Sequence, residues 1–183
     1  SPAYKPLNQS EDWGILNLQI KKAWKQTKGE GITIGVIDTG VPDHIDLGDN
    51  VIPGENFTTA KDNLDYHGHQ THCVGIICAK DNDVGMVGVA PESKCLCVKG
   101  LNDRGSGSWT GLCNALEYCL KKKVDIVSMS LGGSTPIAKM KSVIQKLVDA
   151  GIPVICAAGN SGDGGVNYPG GYDNTIAIAA YNR

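Results

Sequence analysis

The chain has 183 residues, 41% of them apolar and 20% charged, with a net charge of −2. That length and apolar share suit one domain with a substantial core and exclude a fibrous or low-complexity chain. The charge balance leaves no basic stripe for nucleic acid, and no apolar run is long enough to span a bilayer.

Residues 1–16 read as an extended arm, polar and turn-rich over 1–12. Residues 17–28 are expected to be helical, with Leu18, Ala23 and Trp24 on the apolar side. The run from Ile32 to Ile37 reads as a buried strand over 32–37 that ends on Asp38 and turns through Gly40. It delivers a carboxylate to the C-terminal tip of the strand. Thirty-one residues later (69 − 38) stands the imidazole of His69, ahead of a helix expected over 70–79. Strands over 94–98, 124–130, 153–157 and 175–180 then alternate with helices over 108–122 and 136–150. In the first of these helices Leu112, Ala115, Leu116, Cys119 and Leu120 recur at helical spacing. In the second Ile137, Met140, Val143, Ile144, Leu147 and Val148 do so, and Gly151 supplies a cap. Continuous apolar strands between amphipathic helices specify an α/β fold: a doubly wound, mostly parallel sheet with helices on both faces.

In such sheets ligands bind beyond the carboxyl ends of the strands. Asp38, the 105–108 loop, Ser130 to Gly133 and Asn160 all fall there. A buried Asp holds a His in one tautomer and stabilises its protonated form, so His69 reads as a general base for a hydroxyl nucleophile. An amide at Asn160 suits an oxyanion, a role worth roughly 3–4 kcal/mol of barrier, against the bland reading of a turn asparagine. The glycine backbone after Ser130 suits pairing with an extended peptide.

The third member of an Asp-His-Ser triad is not visible. None of Ser106, Ser108, Ser128, Ser130 or Ser161 sits in a nucleophile context, and no Gly-x-Ser-x-Gly elbow exists. His67, His69 and His72 leave a metal site or a purely structural cluster open, although no acidic residue occupies the zincin position. Gly105-Ser-Gly107 is a poor dinucleotide fingerprint, because its third glycine comes at 111 and Asp125 starts a strand instead of ending one. The seven cysteines, odd in number and without Cys-x-x-Cys, read as buried free thiols and favour a reducing compartment, a secreted location staying open.

Taken together, the segments from about Gln9 to Arg183 resemble the subtilisin-like serine peptidases, or subtilases. Val36-Ile-Asp38-Thr-Gly40 is similar to the family's Asp box, and Gly68-His69-Gln-Thr-His72-Cys-Val-Gly75 to its His box. Gly88-Val-Ala-Pro91, Ser128-Met-Ser-Leu-Gly-Gly133 and Ala158-Gly-Asn160 match further elements, and Val154 to Asn160 followed by Gly162-Asp-Gly164 resembles the intracellular subtilisins. The resemblance implies the subtilisin-like fold, incomplete, with residues 1–183 as the N-terminal portion of one peptidase domain. It implies that Asp38 orients, His69 acts as base and Asn160 completes the oxyanion hole. Gly105, Ser106, Gly107, Ser130, Leu131 and Gly132 would flank a peptide or protein substrate, Trp109 would line an apolar pocket, and Asn167 would narrow the primary specificity pocket.

Calcium is implied too, held by Gln9, Asp46 and Asn82 and by the carbonyls of Lys80, Val84 and Met86. A weaker cation site would use the carbonyls of Gly170, Tyr172 and Thr175. Two departures stand out. Gln70 replaces the family's glycine and is expected to crowd the first turn of its helix. The family's Gly-Thr-Ser segment lies beyond Arg183, so the serine is expected from a C-terminal segment or a second chain. A non-catalytic peptide-binding remnant and a histidine-cluster metal hydrolase are the alternatives.

Overall fold

The computed structural model describes residues 8–180; the first seven residues of the expected arm lie outside the described residues. Six strands form one parallel sheet: β1 (Thr33–Asp38), β2 (Val51–Asn56), β3 (Lys94–Lys99), β4 (Ile126–Met129), β5 (Val154–Ala157) and β6 (Ile176–Ile178). Their order across the sheet is β2-β3-β1-β4-β5-β6. Three longer helices connect them: α3 (His69–Cys78), α4 (Trp109–Lys122) and α5 (Ala138–Asp149).

Alternation along the strands sorts the core into two faces. Ile34 and Val36 of β1 and Cys95 and Cys97 of β3 pack with Val74 and Cys78 of α3. Ile37, Leu96 and Val98 pack with Leu112, Leu116 and Cys119 of α4 and with Met140, Ile144 and Leu147 of α5. Helices therefore cover both faces. The chain leaves β2 through α3 on one face and leaves β3 through α4 on the other, crossing β1 to reach β4. That reversal opens a crevice beyond the carboxyl end of β1. The α4 face needs Gly35, where a Cβ would stand 2.8 Å from the sulfur of Cys119.

The expected helix over 17–28 is corrected. The chain forms α1 (Trp13–Asn17) and α2 (Ile20–Ala23), separated at Gln19, whose φ is +55°. Asp12 caps α1 by accepting from the Gly14 amide, so the helix starts inside the expected arm. Ile15 is the buried residue here, whereas Leu18 is 61% exposed. Of the expected apolar side, Trp24 is half-buried and donates its indole N–H to the Val89 carbonyl. The end of the arm is tied down: Gln9 and Ser10 donate backbone N–H groups to the carbonyls of Asp83 and Gly85. Strand β2 is an addition to the expected elements. It carries Pro53 and Gly54 and lies at the sheet edge, where a residue without an N–H is tolerated.

Candidate active site

Strand β1 is buried along its length because both faces of the sheet are covered, and it carries Asp38 to full burial at its tip. The backbone then reverses at Gly40, whose φ is +137° and where a Cβ would meet the Leu64 carbonyl oxygen at 2.5 Å. Helix α3 begins at His69 after Gly68, a residue at φ +89° with no capping side chain of its own. Asp65 serves instead. Its carboxylate accepts from the amides of His67, Gly68 and Thr71 and from the hydroxyls of Thr39 and Thr71.

This pairing of strand tip and helix start puts Nδ1 of His69 2.8 Å from both carboxylate oxygens of Asp38. The Thr39 amide donates to the same carboxylate at 2.7 Å. Burial raises the Asp38 carboxyl above its ordinary value, and the hydrogen bonds from His69 and Thr39 pull it back. A carboxylate can only accept, so the network assigns the proton to Nδ1 and leaves a lone pair on Nε2. Nε2 has no partner among the described residues, and the ring is 42% exposed. The couple can thus take up a proton at Nε2 on its exposed side.

His69 borders a cleft of about 460 Å³. Of the expected substrate residues, Gly105, Ser106, Gly107, Trp109, Ser130, Leu131 and Gly132 all line it. The turn, loop and cap hydrogen bonds of the described backbone use neither Gly107 nor Gly132. Trp109 packs against Gly133, where a Cβ would come within 2.9 Å of the indole. Asn160 follows β5, exposed, and is not among the lining residues. Asn167 sits one layer behind, against Gly132 and Gly159, and accepts from the Ser161 hydroxyl at 3.2 Å. The lining also includes His67 and Leu112, read from sequence as part of a histidine cluster and of a helix's apolar face, and Thr39, Leu101 and Arg104, which sequence reasoning did not single out. Their only signal was proximity to the motifs.

Other expectations resolve as follows. The three histidines do not converge: the rings of His67 and His69 are 6.2 Å apart edge to face, and His72 is exposed. All seven cysteines are free, six of them buried. Cys73 lies 3.9 Å from His69 Nδ1, and burial pushes its thiol up to about 11, so it is neutral at pH 7. The residues expected around a cation are joined by hydrogen bonds in two groups. The Gln9 side-chain oxygen accepts from the amides of Asn82 and Asp83, Asn82 accepts from Val84, and Lys80 donates its amide to the Asp46 carbonyl. Asp46 is buried; one carboxylate oxygen accepts from the Met86 amide at 2.9 Å and the other, Oδ1, has no hydrogen-bond partner. An orphaned buried carboxylate oxygen is a donor that fits a hard cation. Near the second expected cation site, the Thr175 hydroxyl stands within 3.2 Å of the carbonyls of Pro169, Gly170 and Tyr172.

The expected crowding at Gln70 is corrected: its side chain is fully buried and hydrogen-bonded at both ends of its amide.

A family model described as the subtilase family matches residues 29–183. The chain is 41% identical over 180 residues to the "Intracellular serine protease" of Paenibacillus polymyxa, an alignment covering 92% of this chain and 55% of that protein. It is 40% identical over 180 residues to the "Major intracellular serine protease" of Bacillus subtilis (strain 168), covering 91% of this chain and 56% of that protein. With "Thermitase" of Thermoactinomyces vulgaris it shares 35% identity over 181 residues, covering 97% of this chain and 65% of that protein. The chain thus spans about half to two thirds of the length of these relatives.

Proposed function

Because this chain belongs to the subtilase family, we propose that it carries the Asp and His of a serine endopeptidase, with the nucleophilic serine supplied by a segment outside residues 1–183. The observation that carries this reading is the Asp38–His69 couple, 2.8 Å apart, at the border of a cleft with two glycine-rich walls. His69 Nε2 takes the serine proton as the hydroxyl attacks the scissile carbonyl, and Asp38 stabilises the imidazolium that results. His69 then returns the proton to the leaving amine, and the acyl-enzyme is hydrolysed by water along the same route in reverse. The Asn160 amide stabilises the tetrahedral oxyanion, a role worth roughly 3–4 kcal/mol when such a donor is removed from subtilisin. The substrate lies extended between Gly105–Gly107 and Ser130–Gly132, and Trp109 and Leu112 take an apolar side chain.

Calcium fits the loop of Gln9, Asp46, Lys80, Asn82, Val84 and Met86, where it would neutralise Asp46 and fasten the N-terminal segment to the loop after α3. The free cysteines, and two relatives named as intracellular, favour a reducing compartment.

The test is a fluorophosphonate probe applied to the protein together with its serine-bearing segment, read by intact mass. Labelling of that segment, abolished by His69→Ala, supports the split site. An unlabelled protein that still binds extended peptides overturns catalysis in favour of a binding module. Probe resistance with activity lost on zinc removal overturns it in favour of metal chemistry.

A further inference from the structure

We infer that Gln70 is a positioning residue for the Asp38–His69 couple, its side-chain amide clamping the backbone on both sides of Asp38. Its Oε1 accepts the Gly40 N–H at 2.6 Å, two residues after Asp38, and its Nε2 donates to the Val36 carbonyl at 2.9 Å, two residues before. One orientation of the amide satisfies both, since Gly40 offers only a donor and Val36 only an acceptor. A third bond comes from the backbone: the Gln70 amide N–H donates to the Thr39 hydroxyl at 3.0 Å. That hydroxyl donates onward to Asp65, which caps the start of α3.

Gln70 has no exposed surface, so these bonds are not exchanged for water. It follows His69 directly. The helical turn that carries the imidazole therefore also grips the strand tip that carries the carboxylate, and the two functional groups cannot drift apart without breaking buried hydrogen bonds. A polar side chain in this layer costs desolvation unless fully paired, and here it is paired at every polar atom that faces the turn. The other ionisable groups around the couple are Cys73, His67, Asp65, Lys99 and Cys97; Lys99 donates to the Thr39 carbonyl. Of these Cys97 alone meets the Gln70 side chain, and burial keeps its thiol raised and neutral when that contact is removed.

This inference rests on the reading of Asp38 and His69 as a catalytic couple, yet its readout requires no peptide cleavage. The experiment is proton NMR of the His69 Nδ1–H, whose exchange with water reports how often the bond to Asp38 opens. Gln70→Met keeps the length of the side chain and removes both amide bonds. The expected result is exchange about tenfold faster, the factor carried by ~1.4 kcal/mol. Gln70→Gly, which leaves no side chain to misfit, is expected to do the same if the Met variant fails to fold. Val74→Ala is the control: it removes a fully buried side chain one turn along the same helix without touching the clamp. It should lower the midpoint of unfolding and leave the exchange rate unchanged. Exchange unaltered in both Gln70 variants overturns the proposal, as does equal acceleration in Val74→Ala, which would mark the effect as general loosening. Failure of the protease reading would appear instead in the fluorophosphonate labelling.

Discussion

Lys99→Met perturbs a feature that no motif announces. Lys99 ends β3 beside Asp38 on β1, and its side chain is fully buried. The ammonium donates to the Thr39 carbonyl at 2.6 Å, the Leu64 carbonyl at 2.9 Å and the Asp103 carboxylate at 2.7 Å. Methionine matches the volume of the stem, so the apolar burial is largely kept. What is lost is the charge and three hydrogen bonds. Breaking a buried ion pair from one side costs roughly 3–5 kcal/mol. Asp103 is 44% exposed, so water can take back much of its charge, which puts this case at the lower end. Stranding the two carbonyls still costs about 1–3 kcal/mol each before relaxation. The expected net loss is about 3 kcal/mol. At a urea slope of about 2 kcal/mol/M the unfolding midpoint should fall by roughly 1.5 M. Asp103→Asn, which leaves Lys99 its two carbonyls, should cost less than about 1 kcal/mol. A midpoint shift below about 0.5 M for Lys99→Met, or equal losses for the two variants, would refute the reasoning.

Two further outcomes follow from the same loops. Burial pushes the Asp65 carboxyl up, but the hydrogen bonds from Thr71, Gly68 and Thr39 outweigh it and hold it below its ordinary value. A lowered carboxylate contributes stability that is complete above the unfolded value near ~3.9 and lost as the pH falls through the folded one. Asp65→Asn should therefore cost about 1–3 kcal/mol at pH 7, and the gap from the unsubstituted protein should narrow on acidification below about pH 4. Urea titrations across that range check it, and a gap that widens in acid sinks the account. For the cation loop, calcium at a hundred times its dissociation constant should stabilise the protein by ~2.7 kcal/mol, seen as a raised thermal midpoint that a chelator reverses. Asp46→Asn should abolish most of that response, and a chelator-insensitive midpoint in the unsubstituted protein would remove calcium from the loop.

Much of the secondary structure is legible because it depends on neighbours in the chain. Leu112, Leu116 and Cys119 repeat every three or four residues, and α4 forms where that period says, with Ser108 capping it through the Gly111 amide. The unbroken apolar runs of β1 and β3 announce burial on both faces. The misses have local causes that periodicity does not weigh. Gln19 adopts a left-handed conformation and splits the first helix, and Pro53 with Gly54 disguises an edge strand. Leu18 looks apolar-faced in the sequence, yet α1 turns Ile15 inward because Asp12 starts the helix earlier.

The site divides the same way. Asp38 at a strand tip, His69 before a helix and the glycine-rich edges were readable from residue type, order and spacing alone, because the chemistry restricts which side chains can serve. The support around them was not. That Lys99 is buried, that Gln70 braces a turn where crowding was expected, and that Asp46 keeps one unpaired oxygen depend on residues thirty to sixty positions apart meeting at set distances. Sequence determines local conformation and the supply of reactive groups. The folded sheet, by choosing strand order and register, decides which distant groups share a site and how far water is kept from them, and those two quantities set every electrostatic and hydrogen-bond energy in it.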